Sequence, residues 1–174
     1  MGIDASTHSL AFAIFNDARL IKYGKITFDG STSYQRLADS QAKVAALADH
    51  FDVDYIAIEK AIFARSADTA IKMGMAVGVI IAGVLKPGTE VVEVAPITWQ
   101  SYIGNKNWDQ TKKAALKKKY PKKSSSWYST HIREQRKLYT IKYFNKLFKI
   151  NVKDNDVSDA IGIGWYAVRN LTHE

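Results

Sequence analysis

Cysteine is absent from this 174-residue chain. That excludes a thiolate zinc site, an iron–sulfur cluster, a cysteine nucleophile and any disulfide framework. A chain without disulfides suits a reducing compartment, so a cytoplasmic location is expected. Histidine is scarce, and His8, His50, His131 and His173 form no ligand-spaced cluster. Long hydrophobic runs are missing too. The longest, residues 73–85, has thirteen residues with three glycines, short of the roughly 20 needed to cross a bilayer, so a buried helix is expected there and no membrane partner. The N-terminus has no basic region, apolar stretch or small-residue cleavage site, because Asp4 interrupts it at once.

What remains is an ordinary globular composition, 47% hydrophobic and 24% charged, of a length that reads as one domain over residues 1–174. The formal net charge is +8, and its distribution says more than its total. Residues 106–149 hold fourteen Lys and Arg against only Asp109 and Glu134, while the rest of the chain is mildly acidic. A basic segment on an acidic body points to one surface that attracts polyanions and another place that gathers carboxylates.

Periodicity organises the chain. Residues 2–6, 10–15 and 20–28 read as a β-meander, with Asn16-Asp17 as a turn. Leu37, Gln41, Val44, Ala48 and Phe51 recur at helical spacing, predicting a helix over 34–51. Residues 54–59 form a continuous apolar run ending in Glu59, as in a strand buried on both faces. A helix over 66–85 carries a ridge of small residues, Ala70, Gly74, Gly78 and Ala82, that lets another backbone come close, either the sheet or a second copy of the chain. A short strand at 91–95 follows. Residues 109–120 predict a lysine-rich helix, 121–126 a polar flexible stretch, and 132–148 a helix with Leu138, Ile141, Phe144 and Phe148 inward. A last helix opens at Asp156. The fold class is α/β, a mixed sheet flanked by helices.

Four acids stand in unusual places: Asp4 in the first strand, Glu59 at the end of a buried strand, and Asp156 and Asp159 on one face of the first turn of the last helix. Burying an ionised carboxylate is costly unless it is paired or metal-bound, and oxygen ligands favour Mg²⁺ or Mn²⁺ over Zn²⁺. Each acid also has an ordinary reading. Asp156 can be a helix cap with Asp159 beside it, Glu59 can pair with Lys60 or Arg65, and Asp4 can be a turn acid.

The order of these acids and their local sequences resemble the ribonuclease-H-like superfamily, in particular the RuvC-type Holliday junction resolvases. Gly2-Ile3-Asp4-Ala5-Ser6 is similar to that family's opening motif, Ile58-Glu59 to its second acidic motif, and Asp156-Val157-Ser158-Asp159-Ala160 to its closing one. Residues 57–85 carry the most specific likeness. A segment around 105–130 reads as a basic insertion, longer than usual for the family. Where the family commonly has an aromatic wedge, this chain has Ile62, with Phe63 one step later, and Trp99 replaces a common lysine.

The resemblance implies a ribonuclease-H-like, five-stranded mixed sheet. It also implies a structure-selective endonuclease that resolves four-way DNA junctions by paired symmetric nicks, leaving 5′-phosphates. Asp4, Glu59, Asp156 and Asp159 would hold two Mg²⁺ ions per site, with Mn²⁺ as a substitute, and Lys137 would offset charge on the scissile phosphate. The expected partners are branched DNA and a second copy of the chain, docked through Ala70, Gly74, Gly78 and Ala82. Expected DNA contacts are Phe63, Arg65, Lys112, Lys113, Lys117, Lys118, Lys122, Lys123, Arg133, Arg136 and Lys137. Trp108, Tyr120, Trp127 and Tyr128 interleave these cations, either to stack on unpaired bases or to pack the insertion. Competing expectations are a flap, fork or RNA/DNA-hybrid nuclease of the same fold, or a non-catalytic nucleic-acid-binding protein. An actin-like ATPase is disfavoured for want of a glycine-rich phosphate loop.

Overall fold

A computed structural model describes residues 1–60 and 66–170. The meander forms as three antiparallel strands, β1 (Gly2–Ala5), β2 (Ser9–Asn16) and β3 (Arg19–Thr27). The apolar runs at β4 (Tyr55–Glu59) and β5 (Glu90–Val94) then add in parallel to β1. The sheet order is β3-β2-β1-β4-β5, the mixed five-stranded arrangement expected.

Alternation along the strands divides the interior in two. Ile3, Leu10, Ile56 and Ile58 point to one face, under α1 (Ser33–Ala48) and α2 (Ala67–Val84). Ala11, Ala13, Ala57 and Val94 point to the other, under α6 (Asn155–Asn170), together with Trp99 of α3 (Pro96–Tyr102) and Phe144 of α5 (Ser125–Phe148). The small residues of β1 and β2 let α6 lie very close to the sheet. A Cβ on Gly2 would stand 2.5 Å from the Gly164 backbone nitrogen, and one on Gly162 would stand 2.5 Å from the Trp99 ring.

Three expectations need correction. Residues 73–85 are not a fully buried helix: α2 buries only the stripe Ala76, Ile80 and Val84, and leaves Ala70, Gly74, Gly78 and Ala82 exposed. Among the described residues α2 is the one helix long and apolar enough to cross a membrane, but its buried stripe docks against the sheet and α1. Residues 125 and 126 are helix rather than flexible chain, and α5 starts before the expected residue 132, because Ser124 caps it by accepting from the Trp127 backbone N–H at 3.1 Å. Leu138 is 47% exposed; the inward stripe runs through Thr140 and Phe144 instead, one turn apart.

Within the proposed insertion, α4 (Gln110–Lys119) and the first turns of α5 meet through aromatic rings. Trp127 stacks on His131 at 4.9 Å and meets Tyr120 at 5.3 Å, while the Tyr128 hydroxyl donates to the Tyr120 carbonyl. Of the two roles weighed for these aromatics, Tyr120, Trp127 and Tyr128 pack the hairpin. The lysines of α4, Leu116 apart, face solvent.

Candidate active site

Strand register sets the site. Asp4 lies opposite Ala11 across β1 and β2, and Ala11 lies opposite Lys25 across β2 and β3. On the other side, β1 and β4 pair through Ile3 and Ile58, so Asp4 and Glu59 follow at the next position of each strand, and Glu59 lies opposite Val94. One row across the sheet therefore carries Lys25, Ala11, Asp4 and Glu59, all on the α6 side. The first turn of α6 brings Asp156 and Asp159 over this row.

Electrostatics shows how tightly the acids are drawn together. Burial, then the charges of Glu59 and Asp156, push the Asp4 carboxyl up to about 7, against the pull of Lys25 and Lys137. Burial followed by Asp4 and Glu59 pushes Asp159 up to about 8, with Lys137 opposing. Glu59 is also raised by burial, offset by a hydrogen bond from the Trp99 indole N–H to its Oε1 at 3.2 Å. Asp4 thus senses the charges of Glu59 and Asp156, and Asp159 those of Asp4, Glu59 and Asp156.

The carboxylates do not yet close on a common point. Among the described residues no three acids or histidines stand close enough to share one ion. Asp156 is turned aside: its Oδ1 accepts from the Asn155 amide and its Oδ2 from the Lys25 ammonium at 2.6 Å. Lys25 also reaches Asp154 Oδ2 at 3.1 Å. Asp154, not Asp156, caps α6, its Oδ1 accepting from the backbone N–H groups of Asp156 and Val157 at 2.8 and 3.2 Å. The capping alternative for Asp156 is thereby removed. The donor set, all carboxylate oxygens with three of them burdened by burial, fits a hard divalent cation.

A cleft of about 420 Å³ opens beside the acids, lined by Glu59 and Asp159 on one wall and by Arg133, Arg136 and Lys137 of α5 on the other. Lys137 lines this wall and acts on the charges of Asp4 and Asp159. Arg136 is differently employed. Its guanidinium donates to Asn105 Oδ1 at 3.3 Å, to Asn107 Oδ1 at 2.7 Å and to Gln100 Oε1, so it latches the loop after α3. Lys112, Lys113, Lys117 and Lys118 of α4, and Lys122 and Lys123 after it, are exposed. Phe63 and Arg65 lie outside the described residues, as does Ile62.

Sequence reasoning missed Lys25, Asp154 and the Trp99 contact. Lys25 carried no distinguishing signal, since β3 also holds Arg19 and Lys22. Trp99 had none either, since a tryptophan in an apolar segment reads as core.

Comparison with known proteins agrees with this architecture. A family model described as "Crossover junction endodeoxyribonuclease RuvC" matches residues 1–120. The RuvC of Porphyromonas gingivalis is 29% identical over 126 residues, covering 69% of this chain and 67% of the relative. That of Hahella chejuensis is 30% identical over 112 residues, covering 62% and 65%. These matches span about two thirds of the relatives' length. Thermus thermophilus RuvC in complex with a Holliday junction substrate superposes with a TM-score of 0.66 at 17% identity, over 97% of this chain and 91% of that one. A second T. thermophilus RuvC structure gives 0.60 at 16% identity, over 95% and 93%. At such identity the structures speak for the fold, the ribonuclease-H-like sheet. The sequence match runs through β1, β4, α2 and β5 and so includes two of the four acids, Asp4 and Glu59; on its extent, the chain belongs to the RuvC family of crossover junction endodeoxyribonucleases.

Proposed function

We propose that this chain is a metal-dependent endonuclease that resolves four-way DNA junctions in the cytoplasm by paired nicks on opposed strands, using Asp4, Glu59, Asp156 and Asp159 as its ion-holding acids. The observation that carries the reading is the convergence of charge at the ends of β1 and β4 and the start of α6, where Glu59 and Asp156 bear on Asp4, and Asp4, Glu59 and Asp156 on Asp159. Two Mg²⁺ ions, or Mn²⁺ in their place, would activate a water and stabilise the departing 3′ oxygen, leaving a 5′-phosphate.

The chain's own residues do the rest. Asp4 and Glu59 are fixed by strand register, and the Trp99 indole holds Glu59 in one orientation. Lys137 sits on the facing wall of the cleft to neutralise a non-bridging phosphate oxygen. Arg133 lines the same wall, and the lysines of α4 and the following turn extend the cationic surface along the DNA arms, making affinity steeply salt-dependent. Arg136 acts indirectly, by holding the loop that shapes the cleft. The exposed ridge Ala70, Gly74, Gly78 and Ala82 supports an isologous dimer, which would set two such clefts on opposed strands. We read residues 1–174 as one nuclease domain with a basic insertion around 105–130.

Asp4→Asn tests the reading. With junctions labelled on opposite strands, Mg²⁺-dependent cutting is expected to fall by about 10²–10³-fold while junction binding persists. Undiminished cutting removes Asp4 from the site. Flaps and RNA/DNA hybrids assayed alongside distinguish the neighbouring activities: preferential cutting of either overturns junction resolution as the main role.

A further inference from the structure

Lys25 has no place in the reading above, yet it stands in the same sheet row as Asp4, separated from it only by Ala11. Ala11 is fully buried and ends at a methyl group, so nothing long rises between the two. From β3 the Lys25 ammonium lies 2.6 Å from Asp156 Oδ2 and 3.1 Å from Asp154 Oδ2. Its side chain is only 26% exposed. The other oxygen of Asp156 is taken by Asn155. Both Asp156 oxygens are therefore engaged although its charge reaches Asp4 and Asp159, and no three of the described acids converge on one point.

We propose that Lys25 is a built-in competitor for the metal, an internal cation that occupies the Asp156 carboxylate until a divalent ion displaces it. The inference rests on the acids being ion ligands. An ammonium in contact with a carboxylate opposes an incoming cation twice over: the carboxylate must break that ion pair to turn inward, and the ammonium repels the arriving charge. Asp154 is the anchor that makes the arrangement hold. It keeps Lys25 at the mouth of the site while its other oxygen caps α6, so helix start and ammonium position are tied to one residue. Displaced from Asp156, Lys25 retains Asp154 as a partner, so the exchange leaves no unpaired buried ammonium. The consequence is a site that fills only when divalent ion is plentiful.

Calorimetric titration of the full chain with MnCl₂, in the absence of DNA, reads this without reference to cleavage. Lys25→Met is expected to bind Mn²⁺ about three- to tenfold more tightly than the native chain. Asp154→Asn supplies a second route, because asparagine caps a helix as well as aspartate does while the ammonium loses one of its two charged anchors. It is expected to weaken binding, because the displaced ammonium then has no second carboxylate to turn to, and Lys25→Arg to leave affinity near the native value. Equal or weaker binding by Lys25→Met, with the native chain still binding, overturns the role of Lys25 and leaves the acids as ligands. Failure of every variant and of the native chain to bind Mn²⁺ overturns the underlying reading of the acids, and this proposal with it.

Discussion

Glycines on the two sides of the sheet are used in opposite ways. On the α6 side, Gly2, Gly162 and Gly164 leave no room at all: added Cβ atoms would meet the α6 backbone, the Trp99 ring and the Phe15 ring at 2.5–2.7 Å. On the α2 side, Gly74 and Gly78 face open space, with nothing within 4 Å. The first set brings a helix close enough to the strands for acids on both to share a field. The second set builds nothing within this chain. Small residues at four-residue spacing, flanked by exposed Ile71 and Met75, have a physical use only when another backbone arrives. One side of the sheet is thus finished by the chain itself, and the other leaves open the ridge that we propose for a second copy.

Two substitutions sharpen the contrast, the larger effect first. Gly162→Ala drives a methyl into Trp99, which is fully buried and holds Glu59. The expected cost is about 2–3 kcal/mol, a fall in Tm of roughly 5–10 °C by scanning calorimetry; an unchanged Tm would mean that α6 can withdraw from the sheet. Gly78→Leu, measured at a dilution where the chain is monomeric, should shift stability by less than about 0.5 kcal/mol. At working concentrations it should abolish the dimer in sedimentation and uncouple the two cuts. The comparison fails if that variant stays dimeric and still cuts both strands together.

Much of this was legible from residues alone, and the exceptions share a cause. The strands were readable because alternation and continuous apolar runs report burial directly, and Asp4 and Glu59 stood out because a carboxylate in or at the end of such a run needs an explanation. Residues 121–126 misled because a run of lysines and serines reads as loop, although Ser124 is the cap that starts α5. Leu138 misled because its apolar side chain invites a core position that the helix phase gives to Thr140. Lys25 and Trp99 act through partners 131 and 40 positions away, Asp156 on α6 for one and Glu59 on β4 for the other. Such pairings follow from strand register and helix docking, and neither leaves a mark in local spacing.

The central claim is that Asp4, Glu59, Asp156 and Asp159 share a divalent cation, and proton linkage tests it directly. Asp4 and Asp159 are raised from the ordinary carboxylate value to about 7 and about 8 in the fold, so the folded chain binds more protons than the unfolded one between pH 4 and 8. Stability of the metal-free protein therefore falls as pH rises through that window. The measurement is Tm against pH with and without Mg²⁺, for the native chain and Asp4→Asn. The account predicts a native Tm that declines from pH 5 to pH 8, is restored by Mg²⁺ at pH 8 with little gain at pH 5, and loses most of that Mg²⁺ response in the variant. A native chain indifferent to Mg²⁺ at pH 8, or a variant that responds as fully as the native chain, would contradict it.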